Sequence, residues 1–530
     1  MMQKLLRVIS APAACAPGLL AAMVMMLTVV PGYYYLLLKP QVVGPHIVEA
    51  AAAMLSEAVI VAWLLTGISL LLRRLSRIAA TVWTVAVFVV LGANWLVDLA
   101  LMLIYRCSFT EDIAGVIAAT NLSEGANFIA AYVNGPFLAW AAGSLALIAG
   151  VGAALAALRK RIRVSPRTAT VLRIAAVAVL AGAIGCRVTA RDSITLRTNL
   201  RGKLLTCSRI NLGADIVACG LPAQQPGPDA PRKIVVIIGE SLTRDHCSLY
   251  GYPLSTQPHL EAMRAGGELI VYANPSAPAC HTMAAFQHFI GTWDGSPSTA
   301  WFEQPTWIEL ARSAGYHTSW ISNQAGKGVY DNPVVKIARF CDRSRFTNDG
   351  MRGIASARLD EAVIPLVSEW LDSATRELTV IHLMGNHVSY SRRYPAAFKR
   401  FSAADYPDLP EKQRTTVAEY DNSVAYNDSI VAALMRLYDA TDAALFYFPD
   451  HAQDLYQSSP SHFGHSKPGD AASEEFGLRI PMMVHLTPAF RRLHPAAEAA
   501  LTDSAAAPYS TSQFIHTVGF LLGVKLFRPQ

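Results

Sequence analysis

The sequence predicts two parts: five membrane-spanning α-helices within residues 1–190, then an α/β domain over 232–530 with a mainly parallel sheet and helices on both faces. Three observations lead there. Hydrophobic residues make up 52% of the 530-residue chain and mean hydropathy is +0.29, with the apolar excess concentrated in the first 190 residues. Beyond residue 232 short apolar runs alternate with helical segments, the pattern of a mainly parallel sheet. Between the two, "LPAQQPGPDAP" (221–231) is rich in Pro and Gly, so 191–231 reads as a juxtamembrane bridge and linker.

The spans are expected near 14–38, 47–72, 78–105, 136–158 and 169–186, each near the ~20 apolar residues a bilayer requires. The first is too long, and too poor in a cleavage site, for a removable signal peptide; Lys4 and Arg7 suit a retained anchor. Arg73, Arg74 and Arg77 follow the second span. Arg159, Lys160, Arg161, Arg163 and Arg167 separate the fourth from the fifth, and the alternate loops carry only Lys39 and Arg106 near their spans. The positive-inside rule then puts the N-terminus in the cytoplasm and everything after the fifth span outside. The net charge of +6 owes much to these loops and gives no argument for nucleic-acid binding.

Residues 106–135 include "ATNLSEGANFIAAYV", which reads as an amphipathic helix at the outer membrane face. There Asn121 and Glu124 suit a lipid headgroup, although a connector packed on neighbouring helices accounts for the same pattern. After the fifth span, Arg187, Arg191, Arg197, Arg201, Lys203 and Arg209 form a basic stretch suited to anionic lipid. There are eight cysteines, mostly in the part expected outside, where disulfides are permitted. None forms a C-x-x-C pair, so a thiolate zinc site is not expected.

In the second part, strands are expected at 234–239, 317–322, 377–384, 444–449 and 479–486, and helices near 257–265, 303–315, 358–373 and 415–438. About 300 residues can bury one substantial core. In "KIVVIIGESLTRDHCSLYGY" the β-branched run Ile234–Ile238 reads as a strand buried on both faces, and Gly239 permits a sharp exit to Glu240. A carboxylate there is costly unless something positive pairs with it. Open α/β sheets bind ligands beyond the carboxyl ends of their strands, and polar residues collect at those ends. The 317–322 strand runs into "SNQAGKGVYDN", the 377–384 strand into "GNHVSY", and the 444–449 strand into Asp450 and His451.

Glu240, Asp450 and His451 supply an O, O, N set suited to zinc or manganese. Thr282, in "PSAPACHTMAAFQHFIG", stands where a helix begins. Helix N-termini gather phosphate, and a hydroxyl there beside a metal would attack phosphorus. Thr282 equally suits a helix N-cap, and the two roles are compatible.

"GESLTRDHCSLYGY", "CHTMAAF", "NQAGKGVYDN", "HLMGNHVSYSRRYP", "EYDNSVAYNDSIV" and "PDHAQDLY" resemble, in order, the bacterial phosphoethanolamine transferases of the alkaline phosphatase/sulfatase superfamily. The resemblance covers nearly the whole chain. It implies a sulfatase-like domain in the periplasm, anchored in the inner membrane. It also implies one tightly bound zinc on Glu240, Thr282, Asp450 and His451, with Thr282 the nucleophile and manganese a second choice. Asn323 and Lys327 fall on the element that meets phosphoethanolamine. His387 matches a conserved histidine, and either His462 or His465 fits a second one; these suit substrate or a second metal. The implied donor is phosphatidylethanolamine and the acceptor lipopolysaccharide, at core heptose or lipid A, with a covalent intermediate on Thr282. The chain is expected to act as a monomer at the membrane.

Some residues depart from the family. Cys280 and Cys341 resemble half-cystines whose nearby partners are missing, and Pro449 and Ala452 replace a small polar residue and a glycine around the Asp-His pair. "WISNQ" and "HLMGNHVSY" look closer to the branch that decorates core heptose. The Cys-x-Pro-x-Arg signature of formylglycine sulfatases is absent, since Cys280 is followed by His281, Thr282 and Met283. A phosphoglycerol transferase of the same superfamily is the nearest enzymatic rival. A non-catalytic membrane lipid-binding protein is the rival from another class.

Overall fold

The computed structural model describes residues 2–33, 47–105, 132–189, 218–296, 298–326, 333–348, 358–372, 374–460, 462–466 and 470–525, with single residues 109, 117, 125, 128, 129 and 203. The chain forms two compact units, Met1–Ala114 with Tyr132–Ile210, and Gly115–Ala131 with Asn211–Gln530.

In the first unit four helices are long and apolar enough to cross a membrane: Ala51–Leu75, Arg77–Ile104, Gly135–Arg161 and Pro166–Val188. The span expected at 14–38 contains the helix Pro17–Gly32, whose 16 residues are short for a bilayer. Residues 34–46 lie outside the described ones, so four of the five expected spans are present among the described residues. Small residues bring these helices together. A Cβ at Gly18 would collide with the Gly152 carbonyl oxygen, the close approach by which helices associate in lipid. Lys203 pairs with Asp98 and donates to Asn94 Oδ1 at 2.9 Å, and Arg187 Nε lies 3.5 Å from Glu57. Asn121, Glu124 and most of the basic bridge lie outside the described residues.

The second unit is built on a seven-stranded sheet: β1 (Lys233–Gly239), β2 (Leu269–Val271), β3 (His317–Ala325), β4 (Arg343–Asn348), β5 (Glu377–His382), β6 (Ala443–Pro449) and β7 (Met483–Leu486), in the order β2-β7-β6-β1-β5-β3-β4. Strands β6, β1, β5, β3 and β4 run parallel, while β7 is antiparallel to both β6 and β2. The sheet is therefore mainly parallel, as expected. Two of its strands fall outside the expected five: β2 is apolar but only three residues long, and β4 is the polar edge segment RSRFTN. Ile234 to Ile238 of β1 are fully buried at the centre, as a strand covered on both faces must be. Phe286, Phe289, Trp320, Phe446, Phe448 and Phe514 share the main core.

At the starting ends of the strands an ion group is buried in the sheet. Lys233 Nζ lies 3.0 Å from Glu377 Oε2, Arg343 Nη2 donates to Glu377 Oε1 at 2.7 Å, and the Ser319 hydroxyl also donates to Glu377. Cys15, Cys247 and Cys341 are free thiols, and the Cys280 thiol donates to the Glu474 carbonyl at 3.2 Å.

Candidate active site

Parallel neighbours that end level deliver their next residues side by side. Gly239 of β1 is paired with Pro449 of β6, and Asp450 N–H donates to the Gly239 carbonyl at 3.2 Å. Glu240 and the Asp450-His451 pair thus leave adjacent strands together, all of them buried. Thr282 opens the helix Thr282–Phe289, whose N-cap is the extended residue His281; Thr282 is the first helical residue and not the cap.

Thr282 Oγ1 lies 3.4 Å from both Glu240 Oε2 and His451 Nε2. His451 Nε2 lies 3.4 Å from Glu240 Oε1 and 3.5 Å from Asp450 Oδ2. The ligand atoms of Glu240, His451 and His465 all lie within 4.8 Å of one another. His451 Nδ1 is 2.8 Å from the Ala452 carbonyl. A ring that donates there turns its Nε2 lone pair to the site when neutral.

Burial opposes the charge on Glu240, yet the hydrogen bond and charge of His451 hold it well below the usual carboxylate range. Asp450 goes the other way, because burial and the Glu240 charge push it up to about 7. Burial also opposes charge on His451, but Asp450 and Glu240 raise it to about 9. A proton on His451 is therefore the positive charge set against two carboxylates. Asp450 Oδ2 is buried and has no hydrogen-bond partner. A divalent cation would satisfy that oxygen and replace the proton. Two carboxylates, an imidazole and a hydroxyl are donors that zinc accepts, so the residues present fit one.

Three more imidazoles crowd beside this group. The His281 and His465 rings are stacked at 5.7 Å with 2° between planes, and His387 lies 5.8 Å from His465. Burial is the main reason that His281 and His387 both fall to about 4 and His465 well below its usual value. All three are neutral near pH 7. His281 Nε2 and His387 Nδ1 are buried without partners. Of the two histidines that the sequence leaves as alternatives, His465 stands beside Glu240 and His451, while His462 Nε2 lies 2.9 Å from the His465 carbonyl and braces its backbone.

The loop after β5 packs directly on Glu240. Gly385 has φ 51°, and a Cβ there would come within 2.7 Å of Glu240 N and 2.8 Å of its carbonyl oxygen. Asn386 N–H donates to that carbonyl at 2.9 Å. Asp360 holds the loop from behind, accepting from Met384 N and Gly385 N at 2.8 Å each. Asn323 is part of this support. Its amide nitrogen donates to Asp360 Oδ1 at 2.7 Å and to the Arg358 carbonyl at 3.1 Å, while its oxygen accepts from Thr347 and Asn348. Gln324, the next residue, is the one that approaches the cluster, with Nε2 3.5 Å from Glu240 Oε2 and 3.1 Å from the Leu383 carbonyl. Lys327 lies outside the described residues.

Sequence reasoning passed over Gln324, His281 and Ser241. His281 carried a signal, being next to Thr282. Ser241 carried the same kind of signal, being next to Glu240, whereas Gln324 carried none, because it meets Glu240 from another strand.

Residues 232–524 match the protein family described as Sulfatase. Phosphoethanolamine transferase EptC of Escherichia coli (strain K12) is 29% identical over 301 residues, covering 56% of this chain and 51% of that protein. Phosphoethanolamine transferase CptA of Salmonella typhimurium is 26% identical over 307 residues, covering 57% of this chain and 52% of that protein. The chain thus spans about half the length of these curated relatives. Among solved structures, the C-terminal periplasmic domain of EptC from Escherichia coli, in complex with Zn, aligns with TM-score 0.50 and 25% identity over 57% of this chain and 86% of that one. The integral membrane lipooligosaccharide phosphoethanolamine transferase A (EptA) from Neisseria meningitidis aligns with TM-score 0.64 and 18% identity over 95% of both chains, and so shares the fold. With more than half of its length matched, the chain belongs to the sulfatase family, where its relatives are phosphoethanolamine transferases.

Proposed function

We propose that the chain is a metal-dependent phosphoethanolamine transferase that moves this group from phosphatidylethanolamine to lipopolysaccharide, at core heptose or a lipid A phosphate. The observation that supports it most is a hydroxyl at a helix start, Thr282 Oγ1, lying 3.4 Å from a buried carboxylate oxygen and an imidazole nitrogen. The names of the relatives support the choice of group.

Glu240, Asp450, His451 and Thr282 would hold zinc, which when bound supplies positive charge that eases loss of the hydroxyl proton and offsets charge on the phosphoryl oxygens. The Thr282 oxygen attacks phosphorus, and the bond to the diacylglycerol oxygen breaks. The proton lost by Thr282 ends on diacylglycerol, with His387 or His465 as the imidazole that passes it. N–H groups of the Thr282 helix and Lys327 stabilise the developing charge. The acceptor oxygen then attacks the phosphothreonine-type intermediate, and Thr282 regains a proton. Such double displacement is ping-pong. Five spans, with a cytoplasmic N-terminus and a periplasmic catalytic domain, would keep the site where both lipids lie and raise their effective concentration.

Mass spectrometry of lipid A and core oligosaccharide from cells with and without the chain tests this. One added phosphoethanolamine unit is expected with the wild type and none with Thr282→Ala. In detergent, the purified chain should release diacylglycerol from phosphatidylethanolamine and, with acceptor omitted, carry the group on Thr282. Release from phosphatidylglycerol instead would identify the phosphoglycerol transferase reading.

A further inference from the structure

We infer that Ser241 is a positioning residue that holds one oxygen of Glu240 and one of Asp450, leaving the other oxygen of each carboxylate to face a bound cation. The inference rests on the metal reading of the site. Ser241 is fully buried and has φ 59°, the left-handed region that side chains other than glycine avoid. Such a conformation persists where surrounding contacts over-determine it, and here three do. The Ser241 hydroxyl donates to Glu240 Oε1 at 2.6 Å, and its N–H donates to Asp450 Oδ1 at 3.2 Å. Its carbonyl accepts from the Tyr420 hydroxyl at 2.9 Å. That hydroxyl also accepts from Thr243 N–H at 2.9 Å, so Tyr420, buried on the helix Glu411–Arg436, clamps the turn after Glu240 at two points.

The oxygens are thereby sorted. Glu240 Oε1 takes the Ser241 hydroxyl at 2.6 Å and lies 3.4 Å from His451 Nε2, while Oε2 is the oxygen 3.4 Å from Thr282 and 3.5 Å from Gln324 Nε2. Asp450 Oδ1 accepts from the N–H groups of Ser241 and His451, while Oδ2 is buried without a partner, 3.5 Å from His451 Nε2. One residue, in the turn after β1, thus touches both acids. Groups that orient metal ligands from behind commonly contribute 10–100-fold to metal affinity.

The test is zinc affinity of the purified full-length chain, read by competition with a chromophoric chelator, alongside thermal unfolding of the metal-free protein. Ser241→Ala and Ser241→Gly should each bind zinc about 10–100-fold more weakly than wild type. Ser241→Gly tolerates positive φ and should unfold no earlier than Ser241→Ala. A purely structural serine would leave zinc affinity untouched in the glycine variant. Wild-type affinity in both variants, with affinity lost in Glu240→Gln, would overturn the role of Ser241 and leave the metal site standing. Equal zinc affinity in wild type and Glu240→Gln would overturn the metal reading itself, and this inference with it.

Discussion

His451 sets the proton balance of the site. Without metal it titrates near 9, because Asp450 and Glu240 outweigh its burial, so at pH 7 it is protonated and a cation must displace that proton. The sign follows: metal affinity rises with pH until the proton is gone. Between pH 7.5 and 8.5, where Asp450 is already ionised, zinc affinity should rise about tenfold per pH unit, the slope for one released proton. Calorimetry in buffers of different ionisation enthalpy reads that proton directly; a flat profile over this window would show that binding displaces no proton from His451. Glu240 is the complementary residue. It stays ionised throughout because His451 holds it low, so Glu240→Gln removes charge without volume and should lower zinc affinity at every pH.

At the scale of elements, two junctions hold the sheet and its loops in place. Gly385 lets the loop after β5 lie against the Glu240 backbone, with positive φ and no room for a side chain. Gly385→Ala should destabilise the chain by more than ~1 kcal/mol and weaken zinc binding, measured by thermal unfolding and chelator competition. The other junction is Glu377 at the start of β5. Burial opposes its charge, but Ser319, Arg343 and Lys233 pull it below its ordinary 4.5. The lowered value makes its contribution to stability present above about pH 4.5 and lost as pH falls further. Glu377→Ala leaves Lys233 buried with its charge uncompensated, and should cost about 3–5 kcal/mol. Because this group lies at the strand ends opposite Glu240, zinc affinity of the folded variant should be near wild type.

For the whole molecule, neutral buried histidines make folding sensitive to acid. His281, His382 and His387 each fall from 6.5 to about 4, mainly through burial. An unfolded chain takes up these protons near 6.5 and the folded chain only near 4. Between those values the unfolded state binds more protons, so stability falls as pH drops. Metal-free protein should therefore melt at lower temperature at pH 5 than at pH 7. His382→Leu, which removes one such group beside Phe286 and Trp320, should narrow the difference. An unchanged difference would show that His382 takes no part in it. Zinc should raise the melting temperature in a concentration-dependent way, because the folded chain binds it and the unfolded chain does so less well.

What could be read from the chain alone is what lies close along it. The apolar run Ile234–Ile238 announces a buried strand within five residues, and long uncharged stretches announce helices for a bilayer. Polar residues directly after such runs mark the edge where Glu240, Asp450 and His451 meet. Strand β4 escaped this reading because an edge strand needs no apolar alternation. Only the fold decided the rest. Ser241 meets Asp450 across 209 residues and Lys233 meets Glu377 across 144. His465 and not its neighbour His462 stands beside Glu240 and His451, and Gln324 and not Asn323 approaches Glu240. Which of two nearby residues faces a site depends on strand register and loop path, and those are settled when distant segments pack together.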